Sequence, residues 1–73
     1  MTGVVRRLET GRGFGFIKSD DGIEAFVHAS SLRGWLFIEM AEGDRVSFDA
    51  VETDRGRRAA NVRRLDAAAS FSA

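Results

Sequence analysis

With 73 residues, no cysteine and a single histidine, the chain suffices for one domain and excludes a disulfide scaffold, a thiolate metal site and a thiol nucleophile. Eleven cations balance eleven acids. No uncharged run nears the roughly 20 residues of a membrane helix and no charged-then-apolar leader opens the chain, so a cytoplasmic protein without a membrane partner is expected. The balance hides a segregation. Residues 1–18 carry four cations against one acid, residues 19–54 two against nine, and residues 55–65 five arginines against none. If the first and last strands lie together, the domain has a basic side and an acidic side, which focuses a field locally even in a neutral chain.

Thr2-Gly3 leads into Val4-Val5-Arg6-Arg7-Leu8, a β-branched start followed by cations, which reads as the first strand. Glu9-Thr10-Gly11 is a turn. The second strand runs from about Gly13 to Ser19, and Asp20-Asp21-Gly22 is a hairpin turn because Asp and Gly tolerate positive φ. The third strand covers Glu24 to His28. Ala29 to Gly34 holds a short helical turn, and Trp35 to Met40 belongs to a long connection. After the Glu42-Gly43-Asp44 turn, the fourth strand is Arg45 to Glu52, and after the Thr53–Gly56 loop the fifth is Arg58 to Leu65. Asp66 to Ala73, rich in alanine and serine, is expected to be a flexible tail following a domain of residues 1–65.

No stretch of eleven or more residues shows a helical apolar period. Five short strands with turns every eight to twelve residues predict an all-β fold, a small five-stranded antiparallel barrel whose closure removes exposed edges. The expected core is Val4, Ile17, Val27, Leu32, Val46, Phe48, Ala50 and Val62.

The stretch Arg12-Gly13-Phe14-Gly15-Phe16-Ile17-Lys18 alternates glycine with aromatics between two cations. Side chains in a strand alternate between faces, so Phe14, Phe16 and Lys18 share one face and Gly13, Gly15 and Ile17 the other. The third strand repeats the pattern, with Glu24, Phe26 and His28 opposite Ala25 and Val27. Together the two strands predict an exposed, flat ledge of three phenylalanines and a histidine, a patch that a domain seldom exposes without a use. Were the rings core, Lys18 would be buried with them while Ile17 faced water. The glycines also suggest a phosphate-cradling loop, but such loops feed a helix and the period-two aromatics predict a strand. Aromatic platforms bind single strands with little sequence demand because every base has a π face, and each stack contributes roughly 1–3 kcal/mol.

These residues resemble the cold-shock domain, a five-stranded Greek-key β-barrel of the OB type, over about residues 3–65. Arg12-Gly13-Phe14-Gly15-Phe16-Ile17 is similar to that family's first ribonucleoprotein motif and Phe26-Val27-His28 to its second. The spacing of Glu42-Gly43, Val46-Ser47-Phe48 and Ala59-Ala60-Asn61-Val62 also fits. The resemblance implies binding of single-stranded RNA or DNA, with an RNA-chaperone or transcription/translation-regulator role. Its implied contacts are Phe14, Phe16, Phe26, His28 and Phe37, with Arg6, Arg12 and Arg58 near phosphates or base edges. An RNA-recognition motif is excluded, since it needs two helices and the opposite motif order.

Three departures from the family pattern stand out. Arg6-Arg7-Leu8-Glu9 replaces the usual Lys-Trp-Phe-Asn, Ala29 replaces an aromatic, and Gly56-Arg57 replaces Gly-Pro. Arg7 is expected to compensate, since a guanidinium stacks on bases and pairs with phosphate; Lys18 adds a flanking cation, and Trp35 is either a replacement platform or buried against the barrel. A weaker, more electrostatic binder than a typical member follows. The alternative is a protein-interaction or dimerisation module on a degenerate barrel, suggested by the apolar Trp35-Leu36-Phe37-Ile38 run; the first reading expects a monomer, the second a homodimer. An enzyme is not expected: one histidine, no thiol and scattered acids assemble no nucleophile, base or metal site, and no cofactor is implied.

Overall fold

The computed structural model describes residues 1–65, so the expected tail lies outside the described residues. Five strands form the body: β1 (Thr2–Glu9), β2 (Phe14–Ser19), β3 (Glu24–His28), β4 (Arg45–Thr53) and β5 (Gly56–Arg64). Single 3-10 turns at Ala29–Ser31 and Phe37–Glu39 interrupt the connection from β3 to β4. The strands close into a barrel in the order β1-β2-β3-β5-β4, antiparallel at every seam except the parallel β3–β5 contact. The all-β barrel is therefore the one the turn spacing predicts, with its single parallel seam arising because the long connection carries the chain across the barrel end.

The interior is aliphatic. Val5, Ile17, Val27, Val46 and Val62 are essentially inaccessible, with Ala25, Leu32, Met40, Phe48 and Ala59 completing the core. Two expected core residues fall short. Val4 is only half-buried, because it stands opposite Lys18 on the outer face while Val5 stands opposite Ile17 inside. Ala50 is half-buried too; it packs against the core beside Ala59, where the β4–β5 hairpin begins to extend into exposed residues.

A β-bulge in β1 decides which of its side chains face outward. The pairing with β2 shifts between Val5 and Arg7, which makes Arg6 the extra residue. Val5 points in, Arg7 points out opposite Phe16, and Leu8 returns inward opposite Gly15. A Cβ on Gly15 would stand 2.6 Å from the Arg7 carbonyl oxygen and 2.8 Å from Leu8 Cδ2. Glycine is thus required there so that Leu8 can close the barrel behind the aromatic strand.

Candidate nucleic-acid interface

The outer surface over β1, β2 and β3 is organised in rows fixed by strand register. One row runs Arg7, Phe16, Phe26, Arg58 across β1, β2, β3 and β5; the next runs Glu9, Phe14, His28 across β1, β2 and β3. The central row is therefore two phenylalanines framed by arginines. At the far end of the face Lys18 lies between Val4 and Glu24.

Phe14, Phe16 and Phe26 form one cluster on the outside of the barrel. Phe14 and Phe26 lie 5.5 Å apart with ring planes inclined by 32°, whereas Phe16 meets Phe14 at 86° and Phe26 at 71°. The expected flat ledge is thus a faceted one: edge-to-face packing is the favourable arrangement for adjacent rings, and it turns their faces in different directions. A ligand strand must follow those facets rather than lie on a plane.

His28 is exposed and its orientation is fixed. The Ser30 backbone N–H donates to Nδ1 at 3.1 Å, and the Ser30 hydroxyl lies 2.9 Å from the same nitrogen. A backbone N–H can only donate, so Nδ1 accepts and the neutral imidazole carries its proton on Nε2. The same bond caps the first 3-10 turn, so the element following β3 holds the ring in its row.

The cations divide into two groups. Arg6 at the bulge, Arg12 in the β1–β2 turn, Lys18 and Arg58 are exposed and enter no ion pair among the described residues. Arg7 is exposed as expected but has a partner: its Nη2 and Nε reach one oxygen of Glu9 at 2.9 and 3.0 Å. The cation taking the place of the usual tryptophan is therefore already committed to a neighbouring carboxylate. Glu9, expected in the turn, is instead the last residue of β1, and two residues apart on a strand means the same face as Arg7.

Arg57 behaves differently again. Its side chain, only 8% exposed, bonds Asp21 at 2.9 Å in the β2–β3 turn and Glu52 at 2.7 Å on β4, and Nη1 touches the Met1 sulfur at 3.2 Å. The hydrogen bond from Arg57, and next the Ile23 N–H, hold the Asp21 carboxyl below its ordinary value of 3.8. The two carboxylates raise Arg57 in turn. This clamp underlies the β4–β5 loop, whose Thr53, Asp54, Arg55 and Gly56 line an open hollow of about 610 Å³ with Phe16, Phe26 and Arg58. Arg55, which the sequence reads as part of a solvated loop beside Asp54, is a further cation at this hollow; no local signal brings the loop to the rings.

Two aromatics lie outside the cluster. Trp35 donates its Nε1–H to the Val62 carbonyl at 3.0 Å, packs on the core, and is covered by the Arg64 guanidinium 5.1 Å from its ring centre. It is half-buried against the barrel, apart from the phenylalanine cluster. Phe37 packs against the core from the connection and makes no ring contact with Phe14, Phe16 or Phe26. Its neighbours Leu36 and Ile38 are 67% and 87% exposed. No cluster of metal-ligating side chains occurs among the described residues, and no helix among them is long and apolar enough to cross a membrane.

Comparison with known proteins gives a consistent result. The family model of the 'cold-shock' DNA-binding domain matches residues 1–65. The cold shock-like protein CspD of Bacillus cereus is 44% identical over 61 residues, covering 84% of this chain and 92% of that protein. Cold shock protein 1 of Lactiplantibacillus plantarum is 42% identical over 60 residues, 82% of this chain and 91% of its own. The cold shock protein CspB of Geobacillus stearothermophilus is 40% identical over 63 residues, 86% and 96% respectively.

Proposed function

The chain belongs to the cold-shock domain family of non-enzymatic nucleic-acid-binding proteins, and on that premise we propose that it binds single-stranded RNA or DNA across the Phe14–Phe16–Phe26 face. One observation carries the reading: three phenylalanines pack together on the outside of a barrel whose inside is already filled, between Arg7 on one flank and Arg58 on the other. Each base–ring stack contributes roughly 1–3 kcal/mol, so three rings with a few phosphate contacts suffice for binding near the micromolar range. Arg6, Arg12, Lys18, Arg55 and Arg58 supply those contacts. With the family's strand-1 tryptophan and phenylalanine replaced by Arg7 and Leu8, binding is weaker and more electrostatic than for a fuller aromatic face. Holding strands unpaired without catalysis is what an RNA chaperone or a transcription or translation regulator requires.

The test is a fluorescence-anisotropy titration of a labelled pyrimidine strand and the matching duplex at two salt concentrations. The single strand is expected to bind preferentially, with log K falling by about 0.7 per phosphate contact per decade of salt. Phe14→Ala or Phe26→Ala is expected to abolish detectable binding, since each removes a third of the aromatic surface. Absence of binding at low salt ends the proposal, and near-normal affinity in both variants means the wrong face has been chosen.

The exposed Leu36 and Ile38 favour a second reading, a protein-interaction or dimerisation module. Concentration-dependent dimers in sedimentation, with no response to oligonucleotide, would select it.

A further inference from the structure

A carboxylate on a face that gathers phosphates needs a reason, and the Glu9 row supplies one. Glu9 stands directly opposite Phe14 on one side and His28 directly opposite it on the other. The two flanks are about two strand spacings apart, roughly 9–10 Å between backbones, a gap that a purine stacked on Phe14 spans. Their chemistries are complementary and fixed. Oε2 of Glu9 receives both bonds from Arg7, and Oε1 takes no hydrogen bond among the described residues. Across the ring, the contact with the Ser30 N–H leaves His28 Nε2–H as a donor. The row therefore offers an oriented acceptor, a stacking surface and an oriented donor.

We infer that this row is a guanine-reading subsite, with Glu9 reading the base edge and Arg7 acting as the positioning residue that holds the carboxylate. The inference rests on the single-strand reading above. Guanine alone presents two adjacent donors, N1–H and N2–H, on its Watson–Crick edge, and both can converge on the open Oε1 while Arg7 holds Oε2. Its N7 and O6 acceptors lie on the adjoining edge rather than opposite the Watson–Crick edge, so the His28 donor faces the sugar side of a base held this way. Adenine and cytosine offer Glu9 only an exocyclic amino group, and thymine or uracil only one imino N–H. Unpaired bases are read in just this way, stacked on an aromatic and bonded on their edges. Repulsion between Glu9 and phosphate also steers the backbone toward Arg12, Lys18 and Arg58, leaving the base to enter the row.

The experiment compares a thymidine heptamer with heptamers carrying one guanine at each position in turn. For the wild-type protein, at least one guanine position is expected to bind about tenfold tighter than thymidine alone, within the range of a good bidentate base contact. At that position inosine, which lacks N2–H, loses most of the gain, and 7-deazaguanine, which keeps both Watson–Crick donors, keeps it. Glu9→Gln, having lost a negative charge, binds the thymidine heptamer more tightly but shows a guanine preference reduced to threefold or less. Equal affinity for guanine and thymine at every position overturns the inference while leaving single-strand binding intact. So does a Glu9→Gln variant that tightens both heptamers equally, since Glu9 would then act by charge alone. If the wild-type protein binds no heptamer at low salt, the single-strand reading falls and this inference falls with it.

Discussion

Arg7 and Arg57 both replace residues the family usually carries, and both form ion pairs, yet they differ in nearly every physical respect. Arg7 lies 67% exposed on the face of the barrel, with one partner two residues away on its own strand. Arg57 is 8% exposed and ties together a turn 36 residues distant, the end of β4 and the first methionine. An exposed pair gains little net energy because water screens it and two long side chains must be held still. A guanidinium removed from water, by contrast, must keep its partners, since losing one leaves a desolvated charge uncompensated. The same residue type therefore serves stability at one site and ligand geometry at the other.

The largest effect on the comparison comes from the clamp. Arg57→Ala is expected to give a greater fall in the urea midpoint than alanine at any other ion-paired arginine, and Arg57→Lys to recover only part of it, because an ammonium does not fork to two carboxylates. Oligonucleotide affinity in Arg57→Ala should fall as well, through the loosened β4–β5 loop that carries Arg55 to the hollow beside Phe16 and Phe26. Equal urea midpoints for Arg57→Ala and Arg7→Ala would erase the distinction between the two sites.

Acid should sharpen the same contrast. Because Arg57 and the Ile23 N–H hold Asp21 below 3.8, the folded protein binds a proton there less readily than the unfolded chain. That stabilisation is complete above the unfolded value and is lost as pH falls through the depressed folded one. Stability should therefore decline from about pH 4 downward, and Asp21→Asn should flatten that limb while lowering stability at pH 7. An unchanged acid limb in Asp21→Asn would show that the loss arises elsewhere.

The fold and half of the interface were legible because their signals are local. Alternation alone placed Phe14, Phe16, Phe26 and His28 outside and Ile17, Ala25 and Val27 inside, as found. Val4 was misplaced because β1 opens with two adjacent valines, and only the pairing with β2 puts Val5 inside opposite Ile17 and Val4 outside opposite Lys18. The fate of Trp35 was equally closed to inspection: an indole in a connection reads the same whether it meets a base or, as here, the Val62 carbonyl and the Arg64 guanidinium. Arg57 depends on Asp21 at a separation only the folded topology spans. Glu9 is the instructive case: it reads as the start of a turn but is the last residue of β1, and only that strand end puts it on the face of Arg7.

The smallest predicted effect is the most discriminating for Arg7. A cation that contacts phosphate in the complex adds about 0.7 to the slope of log K against log salt for a single strand. Arg58, beside Phe26 and without an ion-pair partner among the described residues, should contribute that amount, and Arg58→Ala should lose it. Arg7 is bound to Glu9 before any ligand arrives, so it neutralises no phosphate and releases no counterion from the strand, and Arg7→Ala should keep a slope near that of the wild-type protein. Its affinity for a thymidine strand should still drop a few-fold, because the mutation leaves the Glu9 charge unopposed beside Phe14. Equal losses of slope in the two variants would mean that the ligand strips Arg7 from Glu9, and that the pair is a latch opened by phosphate rather than a support for the base edge.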